Sequence, residues 1–158
     1  MAMTLVEQFD SWSPPVKILA TDLDTGVLAK AAAGVYADER IDKLSPERVR
    51  RFFLRGSGAN AGRVRVRPEL RDLVTFRRLN LLDAAWPMRG PFDAIFCRNV
   101  MIYFDKPTQL KVLERFVPLL RDEGLLFAGH SESFHNAGHL FRLRGKTVYE
   151  LAHRQHKR

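Results

Sequence analysis

The sequence predicts an α/β fold: a mostly parallel sheet with an antiparallel edge, covered by helices in a three-layer arrangement. Three observations indicate this class. The apolar segment KILATDLD is followed by a helical pattern from Thr25 to Tyr36, which makes a β-to-α step. The amphipathic segment KPTQLKVLERFVPLLR separates the predicted strands FDAIFCRN and GLLFAGHS. The ending FRLRGKTVYEL is typical of an antiparallel hairpin that turns at residues 144–146.

Local signals place the elements in order along the chain. VEQFDSW is predicted to end a first helix at the Ser13 to Pro15 break, and KILATDLD is predicted as a short buried strand. Either Asp24 or Thr25 is suited to cap the next helix. VTFRRLNLL is a further strand, and GLLFAGHS is predicted to begin after a turn at residues 122–124.

The segment between residues 38 and 72 has a different character, and we expect an inserted basic β-subdomain over residues 45–72. A helix begins at Ser45 in SPERVRRFF, a glycine-rich turn follows in GSGANAG, and RVRVR is an alternating strand. The alternation lets the two valines pack while the arginines face a partner.

Composition and charge restrict the class of protein. A chain of 158 residues fits one domain, and its lone cysteine, Cys97, excludes an internal disulfide. No apolar run is long enough for a membrane span and the start does not resemble a signal peptide, so we expect a cytoplasmic protein without membrane insertion. The net charge of +8 comes largely from arginines between residues 40 and 78. They form either a solvated basic face or a surface for an acidic protein; nucleic acid is disfavoured because no nucleic-acid-binding motif is present.

Polar residues at the ends of the predicted strands are the candidate site. Arg98 and Asn99 directly follow FDAIFC, and Tyr103 lies four residues further on, either in a site or as a core aromatic. Asp22 ends KILATD, where a nucleoside-binding fold places a carboxylate on the ribose hydroxyls; Asp22 and Asp24 could instead cap the helix, Asp24 more readily.

Asn80, at the end of VTFRRLN, could recognise an adenine edge beside Leu81 and Leu82, or could be a turn residue. No metal is expected. His130, His135 and His139 are close in sequence, but no carboxylate completes a ligand set at helical spacing.

These segments together resemble the CheR family of chemotaxis receptor methyltransferases. The resemblance covers KILATDLDTGVLAKAAAGVY, the insert ending in RVRVRPEL, VTFRRLNLL, PFDAIFCRNVMIYFDKPTQ and GLLFAGHSESF, and CRNVMIYF is its most specific motif. It implies a Rossmann-like sheet that binds S-adenosylmethionine and methylates glutamate side chains of chemoreceptors. It also implies that the insert is a β-subdomain, which in some members docks a peptide at the receptor's tail.

The resemblance also implies residue roles. Asp22 would bind the cofactor ribose, Asn80 and Leu81 would border the adenine, and Arg98 and Asn99 would line the cofactor pocket. Tyr103 would lie near the transferred methyl group. Because the acceptor carboxylate is already ionised near neutral pH, the reaction needs positioning and no general base. We therefore expect Arg98 to orient a carboxylate, of the substrate or the cofactor. Tyr103 is expected to provide a hydroxyl contact and to line one side of the site.

The resemblance further predicts a chain truncated at its N-terminus. Members of the family carry an N-terminal helical domain and a first strand at the centre of the sheet, whereas MAMTL resembles the helix after that strand. Without it, the strands ending at Asp22 and Arg98 pair with each other, accept another chain, or leave a cleft. Residues 1–158 are then a partial catalytic domain. The alternative is a non-catalytic interaction module whose basic subdomain binds an acidic receptor surface or tail peptide.

Overall fold

The computed structural model describes residues 1–130, 132 and 134–152, and divides the chain into two compact units, Met1–Asn80 and Leu81–Arg158. The first unit contains four α-helices and five strands: α1 (Ala2–Phe9), β1 (Ile18–Asp22), α2 (Thr25–Ala33), β2 (Val35–Ala37), α3 (Pro46–Phe52), β3 (Phe53–Arg55), β4 (Arg63–Val66), α4 (Pro68–Arg71) and β5 (Val74–Arg78). The second contains β6 (Phe92–Cys97), α5 (Lys106–Phe116), β7 (Leu120–Ala128), β8 (Phe141–Gly145) and β9 (Val148–Leu151).

Two sheets form in the first unit. β1 and β5 pair in parallel, in a register that places Asp22 opposite Arg78. β2, β4 and β3 form an antiparallel sheet in that order. The core of the first unit is a cluster of buried side chains: Val6, Ile41, Phe52, Phe53, Val64 and Leu70.

The second unit has one four-stranded sheet in the order β6-β7-β9-β8. β6 and β7 are parallel, whereas the other two pairs are antiparallel. Helix α5 contributes Val112, Leu113 and Phe116 to the core, where they meet strand residues such as Leu126 and Leu151. The predicted α/β class and the C-terminal hairpin are confirmed. Among the described residues, no helix combines the length and apolar character that crossing a membrane requires.

Several details differ from the prediction, and the first helix already ends at Phe9, where Asp10 is the C-cap with a left-handed φ of 44°. Helix α2 ends at Ala33 because Gly34 adopts a left-handed φ of 63° as its C-cap, so Tyr36 belongs to β2. β1 is half-buried to exposed, because α2 packs on the β1-β5 pair and the pair has only two strands. β7 begins at Leu120, so the predicted turn at residues 122–124 is an irregularity within the strand.

The sheet topology bears on the strand predicted to be missing. The described strands form separate two-, three- and four-stranded sheets, so no seven-stranded sheet is present, as expected. Among the described strands, β1 and β6 are each at the edge of the sheet in their own unit. The antiparallel sheet also recruits β2, which precedes residue 45. The predicted subdomain boundary stays a prediction.

Candidate functional site

The segment after β6 presents three of the predicted site residues together. Arg98 and Asn99 follow the last strand residue and are exposed, and Tyr103 ends a short 3-10 helix over Met101–Tyr103. The Tyr103 side chain is 80% exposed, so it is not the core aromatic that the sequence left open. Met101, in contrast, is fully buried and anchors the segment in the core of the second unit.

A left-handed backbone at Asn99 turns the chain away from β6. Its φ of 59° lies in the region that asparagine tolerates better than most residues, since its short amide bonds locally. The turn brings Asn99 against Gly129, at the end of β7: a Cβ on Gly129 would lie 2.9 Å from Asn99 Oδ1 and 3.1 Å from its backbone nitrogen. Glycine at position 129 therefore permits the loops after two adjacent parallel strands to touch.

Glu132 joins these two loops, although no sequence pattern assigned it a role. Its side chain is only 6% exposed. Oε1 accepts hydrogen bonds from the backbone N–H groups of Val100 (3.0 Å) and Met101 (2.8 Å), and Oε2 accepts one from Gly129. An acidic residue in a loop directly after a buried strand was the available signal. Two of its three donors, Val100 and Met101, lie about thirty residues away in the chain, which a local pattern cannot reveal.

The buried carboxylate also affects its surroundings. The pKa of the Cys97 thiol is raised to about 12, first because the thiol is buried and second because the Glu132 charge disfavours a thiolate. Cys97 is therefore a protonated apolar side chain in the core of the second unit. It is unsuited to act as a nucleophile.

The opposite end of the Arg98–Tyr103 segment is held by α5. Asp105 caps the helix by accepting from the Thr108 N–H at 2.9 Å. The buried Gln109 side chain donates to the carbonyl oxygens of Met101 (2.8 Å) and Phe104 (3.0 Å). Glu132 binds the amides of this segment and Gln109 binds its carbonyls, so the exposed Tyr103 ring projects from a fixed backbone.

Leu81 begins the second unit and is half-buried against its core. The Leu81 carbonyl accepts a hydrogen bond from Arg115 Nη1 at 3.1 Å, and the same nitrogen donates to the Asp83 carbonyl. The Arg115 guanidinium also lies 5.6 Å from the centre of the Trp86 ring. A cavity of about 180 Å³ opens here; none of the predicted site residues lines it.

In the first unit, the structure distinguishes the two aspartates after β1. Asp24 Oδ1 accepts from the N–H groups of Gly26 (2.7 Å) and Val27 (3.1 Å), so Asp24 is the N-cap of α2, as expected. Asp22 stands at the carboxyl end of β1 with an exposed carboxylate, whose Oδ1 accepts from the Asp24 N–H at 2.9 Å. The Asp22 carbonyl accepts from the Leu79 N–H, which brings the half-buried Asn80 to the same end of the β1-β5 pair.

Some of the basic residues have structural partners and others present their charge. Arg48 forms a bidentate ion pair with Glu7, which lowers the pKa of that carboxyl mainly through the hydrogen bond. On β4, Val64 is buried whereas Arg63 and Arg65 are exposed, so the predicted alternation of RVRVR is confirmed.

The histidine group gives no metal site in the described part of the chain. No cluster of three histidine, cysteine, aspartate or glutamate side chains with a metal-binding arrangement is found there. The side chain of His135 lies outside the described residues.

Comparison with known proteins gives consistent matches. Residues 1–150 match the family model described as CheR methyltransferase, SAM binding domain. The chain is 60% identical over 152 residues to chemotaxis protein methyltransferase 2 of Pseudomonas aeruginosa, which covers 96% of this chain and 54% of that protein. It is 52% identical over 152 residues to the chemotaxis protein methyltransferase of Escherichia coli K12, covering 96% of this chain and 53% of that protein.

Among solved structures, the glycopeptide N-methyltransferase MtfA in complex with S-adenosyl-L-homocysteine is 15% identical with a TM-score of 0.44, covering 94% of this chain and 58% of that one. The match over residues 1–150 places the chain in the class of S-adenosylmethionine-dependent methyltransferases. Within that class, it belongs to the CheR family. The chain spans about half the length of the curated relatives it matches.

Proposed function

We propose that this chain carries the cofactor-binding part of an S-adenosylmethionine-dependent enzyme that methylates glutamate side chains of chemotaxis receptors in the cytoplasm. The observation that carries the proposal is the family match over residues 1–150. The relatives are named for methyl transfer in chemotaxis, and the resemblance of CRNVMIYF supplies glutamate as the acceptor.

The residues present fit the cofactor. Asp22 is an exposed carboxylate at the carboxyl end of a parallel strand, the place and the chemistry that suit two ribose hydroxyls. Asn80 follows at the end of β5 with an amide that can both donate and accept, as an adenine edge requires. Leu81 would border the ring with the part of its side chain that the core leaves exposed, and Arg98 and Asn99 would line the pocket.

The acceptor chemistry suits Arg98 and Tyr103. When bound, S-adenosylmethionine supplies a methyl group on a sulfonium, a good leaving group. A glutamate carboxylate is ionised near neutral pH, so no residue of the chain has to remove a proton. Arg98 offers a planar set of donors that can orient a carboxylate, and Tyr103 offers a hydroxyl on a fixed backbone. Orientation alone can lower such a barrier by roughly 7–11 kcal/mol.

A second candidate is a non-catalytic interaction module, and the exposed basic side of β4 favours it. In this alternative the exposed Arg63 and Arg65 on β4 bind an acidic surface, or the tail peptide, of a receptor's cytoplasmic domain.

Calorimetry with S-adenosylhomocysteine tests the first candidate. We expect micromolar binding, weakened at least about tenfold by Asp22→Asn, which removes one charge-assisted acceptor. Asp24→Asn is the matched control: it alters an adjacent exposed aspartate that caps α2, and asparagine caps helices as well as aspartate. The absence of heat at millimolar ligand would leave only the second candidate.

Peptide binding tests the second candidate. An acidic peptide copied from a receptor tail should bind the chain more weakly when Arg65→Glu reverses the charge on β4. Arg144→Glu makes the same charge change on the exposed hairpin strand β8 and should leave the affinity within about twofold. Equal losses in both variants would show a net-charge effect and contradict a specific surface on β4.

A further inference from the structure

The buried Glu132 carboxylate has more backbone donors than a loop residue ordinarily gathers. Three N–H groups converge on it, from Val100 and Met101 after β6 and from Gly129 after β7. None of the ion pairs formed between described residues includes Glu132. The carboxylate is therefore stabilised by backbone dipoles, in the way that a preorganised anion site is built.

The geometry makes this arrangement specific for a carboxylate of this length. Both oxygens accept, and they accept from two different loops. A glutamine would keep one acceptor but would turn an N–H₂ group toward a neighbouring N–H donor. An aspartate would draw the carboxylate back by one methylene. Either change leaves a buried donor without its acceptor, which costs more than an ordinary hydrogen bond contributes.

The amides that Glu132 binds belong to the segment with the proposed cofactor and acceptor contacts. Val100 directly follows Arg98 and Asn99, and Met101 begins the 3-10 helix that ends at Tyr103. Asn99 is held in a left-handed conformation between these anchored amides and Gly129. The backbone course of the whole segment thus depends on a side chain that itself lies outside it.

We propose that Glu132 is a positioning residue: its carboxylate fixes the loop after β6 in the conformation that presents Arg98, Asn99 and Tyr103. The consequence for cofactor affinity rests on the proposed function, whereas the anchoring itself does not. Glu132 acts on the segment through the backbone amides of Val100 and Met101 and is not proposed to contact a reacting group.

Amide hydrogen exchange tests the anchoring without any ligand. In a ¹⁵N-labelled chain, Glu132→Gln should accelerate exchange at Val100, Met101 and Gly129 at least about tenfold relative to the core amides of Leu113 and Leu126 in the same sample. Glu150→Gln is the matched control, because Glu150 is equally buried at 5% exposure in the same unit but pairs with Arg142. Unchanged exchange, or the same acceleration in both variants, would overturn the proposal. Glu132→Asp provides the same comparison if the glutamine variant fails to fold.

Binding of S-adenosylhomocysteine tests the consequence. Glu132→Gln should weaken the affinity at least about tenfold, while Glu150→Gln should stay within about twofold of the unaltered chain. Equal affinities in the unaltered chain and Glu132→Gln would overturn the positioning role. If the unaltered chain binds no ligand, the proposed function fails, and the exchange measurement still decides whether Glu132 holds the segment.

Discussion

The Gln109 side-chain amide donates a hydrogen bond of 2.8 Å to the Met101 carbonyl, which ties the first turns of α5 to the segment after β6. Gln109 is 8% exposed and Met101 is fully buried. The Met101 carbonyl also accepts the Phe104 N–H at 3.1 Å, so Gln109 supplies its second hydrogen bond, and the same amide donates to the Phe104 carbonyl at 3.0 Å. The helix thus contributes both core packing and a clamp on the candidate site.

Removing this clamp should destabilise the second unit. Gln109→Leu keeps a similar volume but removes the buried side-chain donor to the Met101 and Phe104 carbonyls. We expect the free energy of unfolding to fall by about 1–3 kcal/mol, measured by urea denaturation. Glu114→Ala, on the exposed side of the same helix, should change it by about 0.5 kcal/mol or less. Similar losses in both variants would contradict a clamp at Gln109.

Tyr103→Phe should separate activity from stability. Because the side chain is 80% exposed, losing its hydroxyl should change the free energy of unfolding by no more than about 0.5 kcal/mol. Transfer of labelled methyl groups from S-adenosylmethionine to a receptor's cytoplasmic domain should fall by about tenfold, the effect of one lost hydrogen bond.

Tyr149→Phe offers the opposite pattern. Tyr149 is 8% exposed, and burial raises the pKa of its phenol. Its loss of a hydroxyl should lower stability by about 1 kcal/mol and leave methyl transfer nearly unchanged at a temperature where the chain is folded. A Tyr103→Phe variant that transfers methyl groups at the unaltered rate would remove Tyr103 from the proposed machinery.

The Cys97 thiol should be inert in the folded chain. With its pKa raised to about 12, the thiolate fraction at pH 8 is about a thousandfold below that of an ordinary thiol. Alkylation by iodoacetamide at pH 8 should therefore be at least about a hundredfold slower in the folded chain than in 6 M guanidinium. Equal rates would show that the thiol is not buried as described.

The same shift sets a pH dependence of stability. The folded state holds the thiol proton more tightly than the unfolded state. The stabilisation that the protonated thiol contributes is therefore fully present below the ordinary thiol pKa. It is lost as pH rises from about 9 to about 12. The difference in unfolding free energy between the unaltered chain and Cys97→Ala should shrink over this window and stay flat between pH 6 and pH 8. A difference that grows with pH would contradict the raised pKa.

Two glycines with left-handed backbones should differ in their tolerance of alanine. A Cβ at Gly34 would lie 3.0 Å from Arg71 Cδ and 3.3 Å from Val66 Cβ, whereas a Cβ at Gly58 would meet no atom within 4 Å. Gly58→Ala should therefore show only the backbone cost of about 1 kcal/mol. Gly34→Ala should cost at least about 1 kcal/mol more, because it adds a steric contact at the C-cap of α2. Thermal unfolding of the two variants measures how much stability each one loses. Equal losses would contradict a steric contact at Gly34.

Local sequence signals predicted the elements whose cause is local. Ser45 accepts from the Arg48 N–H and caps α3, and Val64 alternates with exposed arginines on β4, both as the sequence indicated. The extent of α2 was less accurately predicted, because apolar residues continue past Gly34 while the backbone does not. The predicted roles of Asp22, Asn80, Leu81, Arg98, Asn99 and Tyr103 stay predictions, although the structure shows Asp22, Arg98, Asn99 and Tyr103 to be exposed.

The sequence by itself determined the α/β class, the family and the position of polar residues at strand ends. Strand periodicity, helix caps and the specific motif each depend on residues that are close together in the chain. Only the tertiary structure decided which residue holds that motif in place. Glu132 accepts hydrogen bonds from amides 31 and 32 positions earlier in the chain. Gly129 has no side chain and therefore leaves room for Asn99. Such contacts depend on two parallel strands ending side by side, and that juxtaposition exists only once the sheet has formed.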